Sequence, residues 1–169
     1  SNPANKSNLG KIINQSRGLS RRDFDGITTI FPELSENSGY SKNIKLVSSD
    51  NLDNPSTILV EAVNRNFLKT LGLKIIKGRN FLSQDFSDLK TVAIVGYEIA
   101  GMLFPEAPQK AIGYEISLNH VWFEIVGLLK KSEFVLDEKS KSRIPLNPNR
   151  FNNTILVTFD TGFQKLQLL

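Results

Sequence analysis

The apolar residues of this chain recur at two spacings, and each spacing predicts short secondary-structure elements. Residues 57–63 alternate, with Ile58, Val60 and Ala62 on one face, which is typical of a half-buried strand. Residues 91–95 form a continuous apolar run that also predicts a strand. The same reasoning predicts further strands at residues 27–31, 44–47, 73–76, 114–118, 121–129 and 154–159.

Apolar residues at helical spacing predict short helices between these strands. Residues 97–104 place Ile99, Ala100 and Leu103 on one face, and Pro105 stops this helix. Other helical segments are predicted at residues 9–13, 20–24, 64–72 and from 163 onwards. Because strands and helices are interspersed without a regular βαβ rhythm, the pattern predicts an α+β fold.

Polar stretches predict the connections between these elements. Residues 32–43 predict a loop, and residues 48–56 predict a turn-rich segment. Residues 81–88 are an acidic connection without helical periodicity. The dipeptide Asn119-His120 predicts a two-residue hairpin turn, and Gly78 is expected to adopt a positive φ.

The composition is that of an ordinary globular domain and excludes several classes of site. The 169 residues are long enough to bury a core without disulfides or metals. The absence of cysteine excludes thiol catalysis and zinc–thiolate sites, and His120 is the only histidine. The net charge of +4 comes from residues 1–22, which hold five basic and no acidic residues. The rest of the chain is nearly neutral, so a broad nucleic-acid surface is not expected.

The chain contains no apolar run near the ~20 residues that a membrane helix needs, and no signal peptide. It begins with Ser1-Asn2 rather than Met, so we expect a fragment of a longer protein. Residues 1–7 are expected to be disordered or left over from cloning.

Four acidic residues could carry chemistry, although each has a more ordinary interpretation. Asp85 and Asp88 could bind a cation, but two loop carboxylates without flanking glycines are typical of solvated surface. Glu98 and Glu106 could form an acid–base pair, but both flank a helix that packs by its other face.

Glycine and basic residues give equally weak signals. Phosphate-loop and GxGxxG motifs are absent, so Gly96, despite the nearby Gly101, is interpreted as a hinge between a strand and a helix. His120 is expected to be exposed in its turn. Basic side chains that could contact anionic lipid or an acidic partner are expected to be solvated: Lys130, Lys131, Lys139, Lys141 and Arg143. We therefore predict no catalytic, cofactor-binding or metal-binding residues and no enzyme activity.

Seven short motifs, in order over about 70 residues, carry a more specific signal. They are Phe67 at a helix start, Leu-Gly-Leu (71–73), Gly-Arg-x-Phe (78–81), Val-x-Ile-x-Gly (92–96), Leu-Phe-Pro (103–105), Ile-Gly-x-x-Ile (112–116) and Val-Gly-Leu-Leu (126–129). In this order they resemble the periplasmic core domain of MacB/FtsX-like ABC transporter permeases. The flanking strand at residues 26–32 and the segment Ile-Pro-Leu (144–146) resemble that family less sharply.

The resemblance implies a domain organisation. It predicts two subdomains: a terminal, membrane-proximal one from residues 8–56 and 132–169, and an inserted mixed α/β one from residues 57–131. Hinges between them are expected at residues 50–56 and 132–141, which are polar and poor in packing residues.

The resemblance also implies a function. We expect a non-catalytic extracytoplasmic domain, outside the inner membrane, that couples cytoplasmic ATP hydrolysis to export or signalling. The implied partners are an ABC ATPase subunit or domain, a periplasmic adaptor protein or exported substrate, flanking membrane helices and a second copy of the permease, but no nucleic acid. The alternative is a stand-alone extracytoplasmic ligand-binding or sensor domain, which would need a concave pocket with converging polar groups.

Overall fold

Seven strands form one mixed sheet in the computed structural model, which describes residues 39–48, 51–133 and 148–166. The strands are β1 Gly39–Ser48, β2 Asn51–Val63, β3 Ile75–Gly78, β4 Val92–Val95, β5 Glu115–Leu118, β6 Val121–Leu129 and β7 Thr154–Thr158. Their order is β3-β6-β4-β7-β2-β1-β5, and β5 also pairs with β6. Six strands therefore form a closed ring of pairings, and β3 pairs with β6 as a seventh strand. The pairs β2–β7 and β4–β6 are parallel, and the others are antiparallel.

Short helices connect the strands. They are α1 Phe67–Thr70, α2 Ser83–Ser87, α3 Tyr97–Leu103 and α4 Phe159–Lys165, with 3-10 turns η1 Pro108–Ala111 and η2 Pro148–Asn153. No helix within these described ranges is long and apolar enough to cross a bilayer. The mixture of strands and short helices agrees with the predicted α+β class.

Two apolar cores lie on the two faces of the sheet, because side chains alternate along a strand. Along β4, Ala93 and Val95 enter the larger core, whereas Val92 and Ile94 enter the smaller one. This double burial explains why the strand is a continuous apolar run. Each fully buried large side chain, such as Phe123 at 0% exposure, contributes roughly 1.5–3 kcal/mol to folding.

The sheet crosses the predicted boundary between two subdomains. β7, assigned to the terminal subdomain, pairs with β2 on one side and with β4 on the other. Both neighbours lie wholly or mostly in residues 57–131, the predicted inserted part. The division into two subdomains is therefore not confirmed, and the described strands belong to one sheet.

Several predicted elements are confirmed, although some boundaries are wrong. Strands 91–95, 114–118, 121–129 and 154–159 and helix 97–104 are found within about a residue or two, and Asn119 and His120 form their turn with φ of 49° and 67°. Strands β1 and β2 include residues 39–43 of the predicted loop and residues 48 and 51–56 of the predicted turn, whereas residues 32–38 and 49–50 lie outside the described residues. Pro55 is tolerated there because it falls in an irregular stretch between the pairs Leu46–Ser56 and Ser48–Asn51.

Other differences have local causes. The predicted strand 73–76 is shifted to β3, and Gly78 has the expected positive φ of 79°. Residues 83–87 form helix α2, because the Asp85 carboxylate accepts a hydrogen bond from Leu82 N–H (2.8 Å) at the helix start. α4 begins at Phe159, earlier than the helix predicted from residue 163. The predictions for residues 1–31 and 144–146 lie outside the described residues.

The described parts of the two predicted hinges, residues 51–56 and 132–133, lie in a strand and beside η2. Residues 51–56 of the first predicted hinge belong to β2, and the hinge itself stays a prediction. At the second, the Asn152 side chain accepts a hydrogen bond from Ser132 N–H (2.8 Å) and donates one to the Ser132 carbonyl (2.9 Å). This pair of bonds fixes the chain after β6 to η2 at residue 132, and residues 134–141 lie outside the described part.

Candidate functional site

An open groove of about 920 Å³ lies between α3, η1 and the middle of β2. Its volume falls within the range of about 300–1,000 Å³ that ligand pockets occupy. α3 contributes Tyr97, Glu98, Gly101 and Met102 to the groove, and the opposite wall includes Thr57 from β2. Glu98 and Glu106, two of the candidate residues predicted from the sequence, both line this groove.

A close backbone contact holds the start of α3 in place. Gly96 precedes the helix in an extended conformation (φ −67°, ψ 157°), and its N–H donates to the Thr154 carbonyl at 2.9 Å. A Cβ at this position would lie 2.1 Å from the Phe151 carbonyl oxygen, so only glycine fits. Ile99 and Ala100 then pack into the larger core, which leaves the other face of α3 to line the groove.

The charged residues that line the groove are both acidic. Glu98 Oε1 lies 2.9 Å from Lys131 Nζ, and both side chains are about half exposed. The hydrogen bond that Lys131 donates to Glu98, followed by the negative charge of Glu98, raises the pKa of Lys131. Glu106 is exposed and has no ion-pair partner among the residues that the structure describes. The groove therefore keeps at least one uncompensated carboxylate.

Gly101 leaves a shallow gap in the groove wall formed by α3. A Cβ built on this residue would meet no heavy atom within 4 Å. Packing inside the domain therefore does not require glycine here, although a helix-interior glycine costs roughly 1 kcal/mol relative to alanine. The next residue, Met102, is 47% exposed although its side chain is large and apolar. Gly101 and Met102 therefore form an apolar part of the groove lining.

A buried ion pair replaces the solvated acidic loop that the sequence predicted. Asp85 is fully buried, and its Oδ2 accepts a hydrogen bond from Arg79 Nη1 at 2.6 Å. Burial raises the pKa of Asp85, but the hydrogen bonds from Arg79 and from Leu82 N–H outweigh it and set the pKa below its ordinary value. The interpretation of Asp85 as solvated is therefore wrong, whereas Asp88 is exposed as predicted. The pair has a structural role at the start of α2.

A second, partly buried ion pair joins β2 to η2. Glu61 is 3% exposed and accepts a hydrogen bond from Arg150 Nη2 at 3.2 Å. Burial raises the pKa of Glu61, and the charge and hydrogen bond of Arg150 oppose this only in part. Within the described ranges of the chain, Glu61 Oε2 and Arg150 Nε have no hydrogen-bond partner. A buried pair with unsatisfied atoms is a poor source of stability.

The other candidate residues lie apart from one another. His120 is exposed at the tip of the β5–β6 hairpin, and Gly96 is the expected hinge between β4 and α3. Lys130 and Lys131 are exposed, whereas Lys139, Lys141 and Arg143 lie outside the described residues. No group of three metal-ligating side chains occurs in the part of the chain that the structure describes.

Sequence reasoning identified Glu98 and Glu106 but missed what surrounds them. Both are exposed, as expected, yet they line one groove together with β2. Glu61 was also missed, although the sequence contains a signal. Glu61 lies in an alternating strand, on the face opposite Ile58 and Val60. Because its neighbours along the strand are apolar, the pattern indicates that this carboxylate could be buried.

Comparisons with known proteins agree on one family. The profile of the family described as MacB-like periplasmic core domain matches residues 3–167. The periplasmic region of MacB from Actinobacillus actinomycetemcomitans superposes with a TM-score of 0.64 at 15% identity, over 90% of this chain and 62% of that one. The extracellular domain of the transporter YknZ from Gram-positive bacteria gives a TM-score of 0.61 at 16% identity, over 88% and 67%. No curated protein sequence matches significantly.

Proposed function

This chain belongs to the family of MacB-like periplasmic core domains of ABC transporter permeases, and we propose that it couples cytoplasmic ATP hydrolysis to export or signalling outside the inner membrane. The match over residues 3–167 carries the proposal, because it covers nearly the whole chain. The two structural neighbours support the same fold. In this proposal the domain is non-catalytic, and a separate ATPase subunit or domain supplies the energy.

The closed ring of strands suits a domain that transmits movement. Every strand of the ring has two neighbours, so a force applied to one strand is shared with the others through backbone hydrogen bonds. Buried cores on both faces add resistance to bending. We infer that the described sheet moves as one rigid body, rather than as two subdomains that tilt against each other.

The proposed partners follow from the same assignment. The domain would act through the membrane helices of its parent permease on an ABC ATPase, and a second permease copy would complete a dimer. Outside the membrane it would contact an adaptor protein or an exported substrate. The chain spans 62% of the length of the MacB periplasmic region that it resembles.

Deletion of the domain in the parent permease tests the coupling. Replacing the domain with a short Gly/Ser linker should abolish transport while the complex still binds ATP. A matched variant, Trp122→Ala, changes an exposed side chain on the sheet and should leave transport intact. Normal transport by the deleted permease would contradict the proposal.

Cysteine labelling tests the location and separates this function from a stand-alone sensor domain. These 169 residues contain no cysteine, so Asp88→Cys adds one exposed thiol to this domain, and labelling is compared with the permease that lacks the substitution. In intact cells with a permeabilised outer membrane, a membrane-impermeant maleimide should label it, and the protein should remain in the membrane fraction. Labelling of a protein released without membrane would support the stand-alone ligand-binding alternative, which the groove favours.

A further inference from the structure

We propose that the groove between α3, η1 and β2, defined above, binds an extended peptide segment that carries a basic side chain beside apolar ones. Among its lining residues the charged ones are Glu98 and Glu106, and none is basic. A partner with Lys or Arg would complement this charge, whereas an anionic lipid headgroup or a nucleic acid would be repelled. The proposal names the chemistry of the partner that the proposed function leaves open.

The edge of β2 in the groove supports an extended conformation of the bound segment. β7 pairs with β2 only from the pair Leu59–Thr154 onwards. Before that pair, Thr57 and Ile58 line the groove and pair with β1 on their other side. Within the described residues, the backbone groups on the groove side of this stretch have no strand partner. A peptide that continues the line of β7 could use them, as in strand addition to a sheet edge.

The apolar part of the groove supports side-chain contacts beside the basic one. Met102 is 47% exposed, and a thioether adapts its shape to different apolar partners. Packing inside the domain does not require glycine at position 101, because a Cβ there would meet no heavy atom within 4 Å. The absence of a side chain lets the backbone of a bound peptide approach α3 closely. The exposed methionine, the bare glycine and the unpaired Glu106 lie along the same groove. Glycine at position 101 costs helix stability, and a bound peptide that packs against it would offset this cost.

Selection of peptides by the full 169-residue chain tests the proposal without a transporter. The probe is a phage-displayed library of random heptapeptides, and enriched sequences are synthesised and measured by fluorescence anisotropy. We expect enriched peptides to contain at least one Lys or Arg together with apolar residues. Because the assay needs neither ATP nor membrane, its failure is distinct from failure of the transport role.

Three variants locate the binding site. Gly101→Trp fills the groove and should weaken binding at least tenfold, while the open space around this residue lets the domain fold. Glu106→Lys reverses the unpaired charge and should weaken binding at least threefold. Trp122→Ala removes an exposed aromatic residue that does not line the groove and should leave the dissociation constant unchanged. Circular dichroism checks that each variant is folded.

The contrary outcomes are equally definite. The proposal fails if the library yields no basic peptides, if it yields acidic ones, or if the selected peptides bind Glu106→Lys as tightly as the original chain. Loss of binding in Trp122→Ala with retention in Gly101→Trp would place the site on the β5–β6 hairpin instead. If Gly101→Trp is unfolded, Glu106→Lys and Glu98→Lys decide between these outcomes.

Discussion

Replacement of Gly96 by alanine should destabilise the domain strongly, because the added methyl group has no space. Its carbon would lie 2.1 Å from the Phe151 carbonyl oxygen, 2.3 Å from the Asn152 carbonyl oxygen and 2.6 Å from the Asn152 carbonyl carbon. All three are backbone atoms, so no side chain can rotate away. Either α3 or η2 must move, although the Gly96 N–H donates to the Thr154 carbonyl at 2.9 Å.

The expected magnitude follows from opposing terms. Overpacking of a rigid site costs about 1–3 kcal/mol and occasionally more. The reduced entropy of the unfolded chain returns only about 0.4–1 kcal/mol. We therefore expect Gly96→Ala to lower the free energy of unfolding by roughly 2 kcal/mol. For a domain of this size that corresponds to a fall in melting temperature of about 4–8 °C.

The matched control is Gly101→Ala in the same helical region. Its methyl group would meet nothing within 4 Å, and no positive φ opposes it. Alanine should therefore stabilise α3 by roughly 0.5–1 kcal/mol. Urea unfolding followed by far-ultraviolet circular dichroism measures both variants. Equal stability of Gly96→Ala and Gly101→Ala would refute the close approach of η2 to α3.

Three further changes test the buried polar contacts. Asp85→Asn removes the ion pair with Arg79 and should cost roughly 1–3 kcal/mol in urea unfolding. Folding lowers the pKa of Asp85, so the stability difference between the original chain and Asp85→Asn should be fully present above the unfolded pKa of about 3.9. It should vanish as the pH falls through the pKa of Asp85 in the folded state. A stability difference that persists in acid would contradict this prediction. Folding raises the pKa of Glu61, so protonation of Glu61 favours the folded state. The stability of the original chain relative to Glu61→Gln should therefore increase as the pH falls from 7 towards the unfolded pKa of about 4.3. A decrease in this relative stability would overturn the reasoning. Asn152→Ala breaks the two hydrogen bonds to the chain after β6 and should cost about 1–3 kcal/mol, with faster amide exchange at Ser132; unchanged exchange there would refute the contact.

The contrast between β4 and α2 shows what local sequence can predict. The continuous apolar run 92–95 requires burial on both sides, so its pattern alone predicts a central strand. α2 has no such pattern. Its start depends on hydrogen bonds that Arg79 and Leu82 N–H, in the segment after β3, donate to the Asp85 carboxylate. The motif Gly-Arg-x-Phe pointed to a family but not to that ion pair.

The ring of strands and the groove could not be predicted for a related reason. The pairings β2–β7 and β1–β5 join residues far apart in the chain, and alternation within one strand does not specify its neighbours. The groove depends on those pairings, since it brings Thr57 beside Glu98 and Glu106. Both glutamates were identifiable as exposed, but only the topology places an unpaired part of β2 next to them.

The closed ring also restricts where movement can occur during the proposed transport cycle. Opening it requires loss of a whole strand pairing, and β7 pairs along five residues with β2 and along three with β4. These hydrogen bonds lie between two buried cores, where separated backbone groups would find no water to replace them. Separation of β7 from both neighbours would therefore cost a large part of the free energy of unfolding. Under the proposed function, we therefore expect this part of the sheet to tilt or shift as one body.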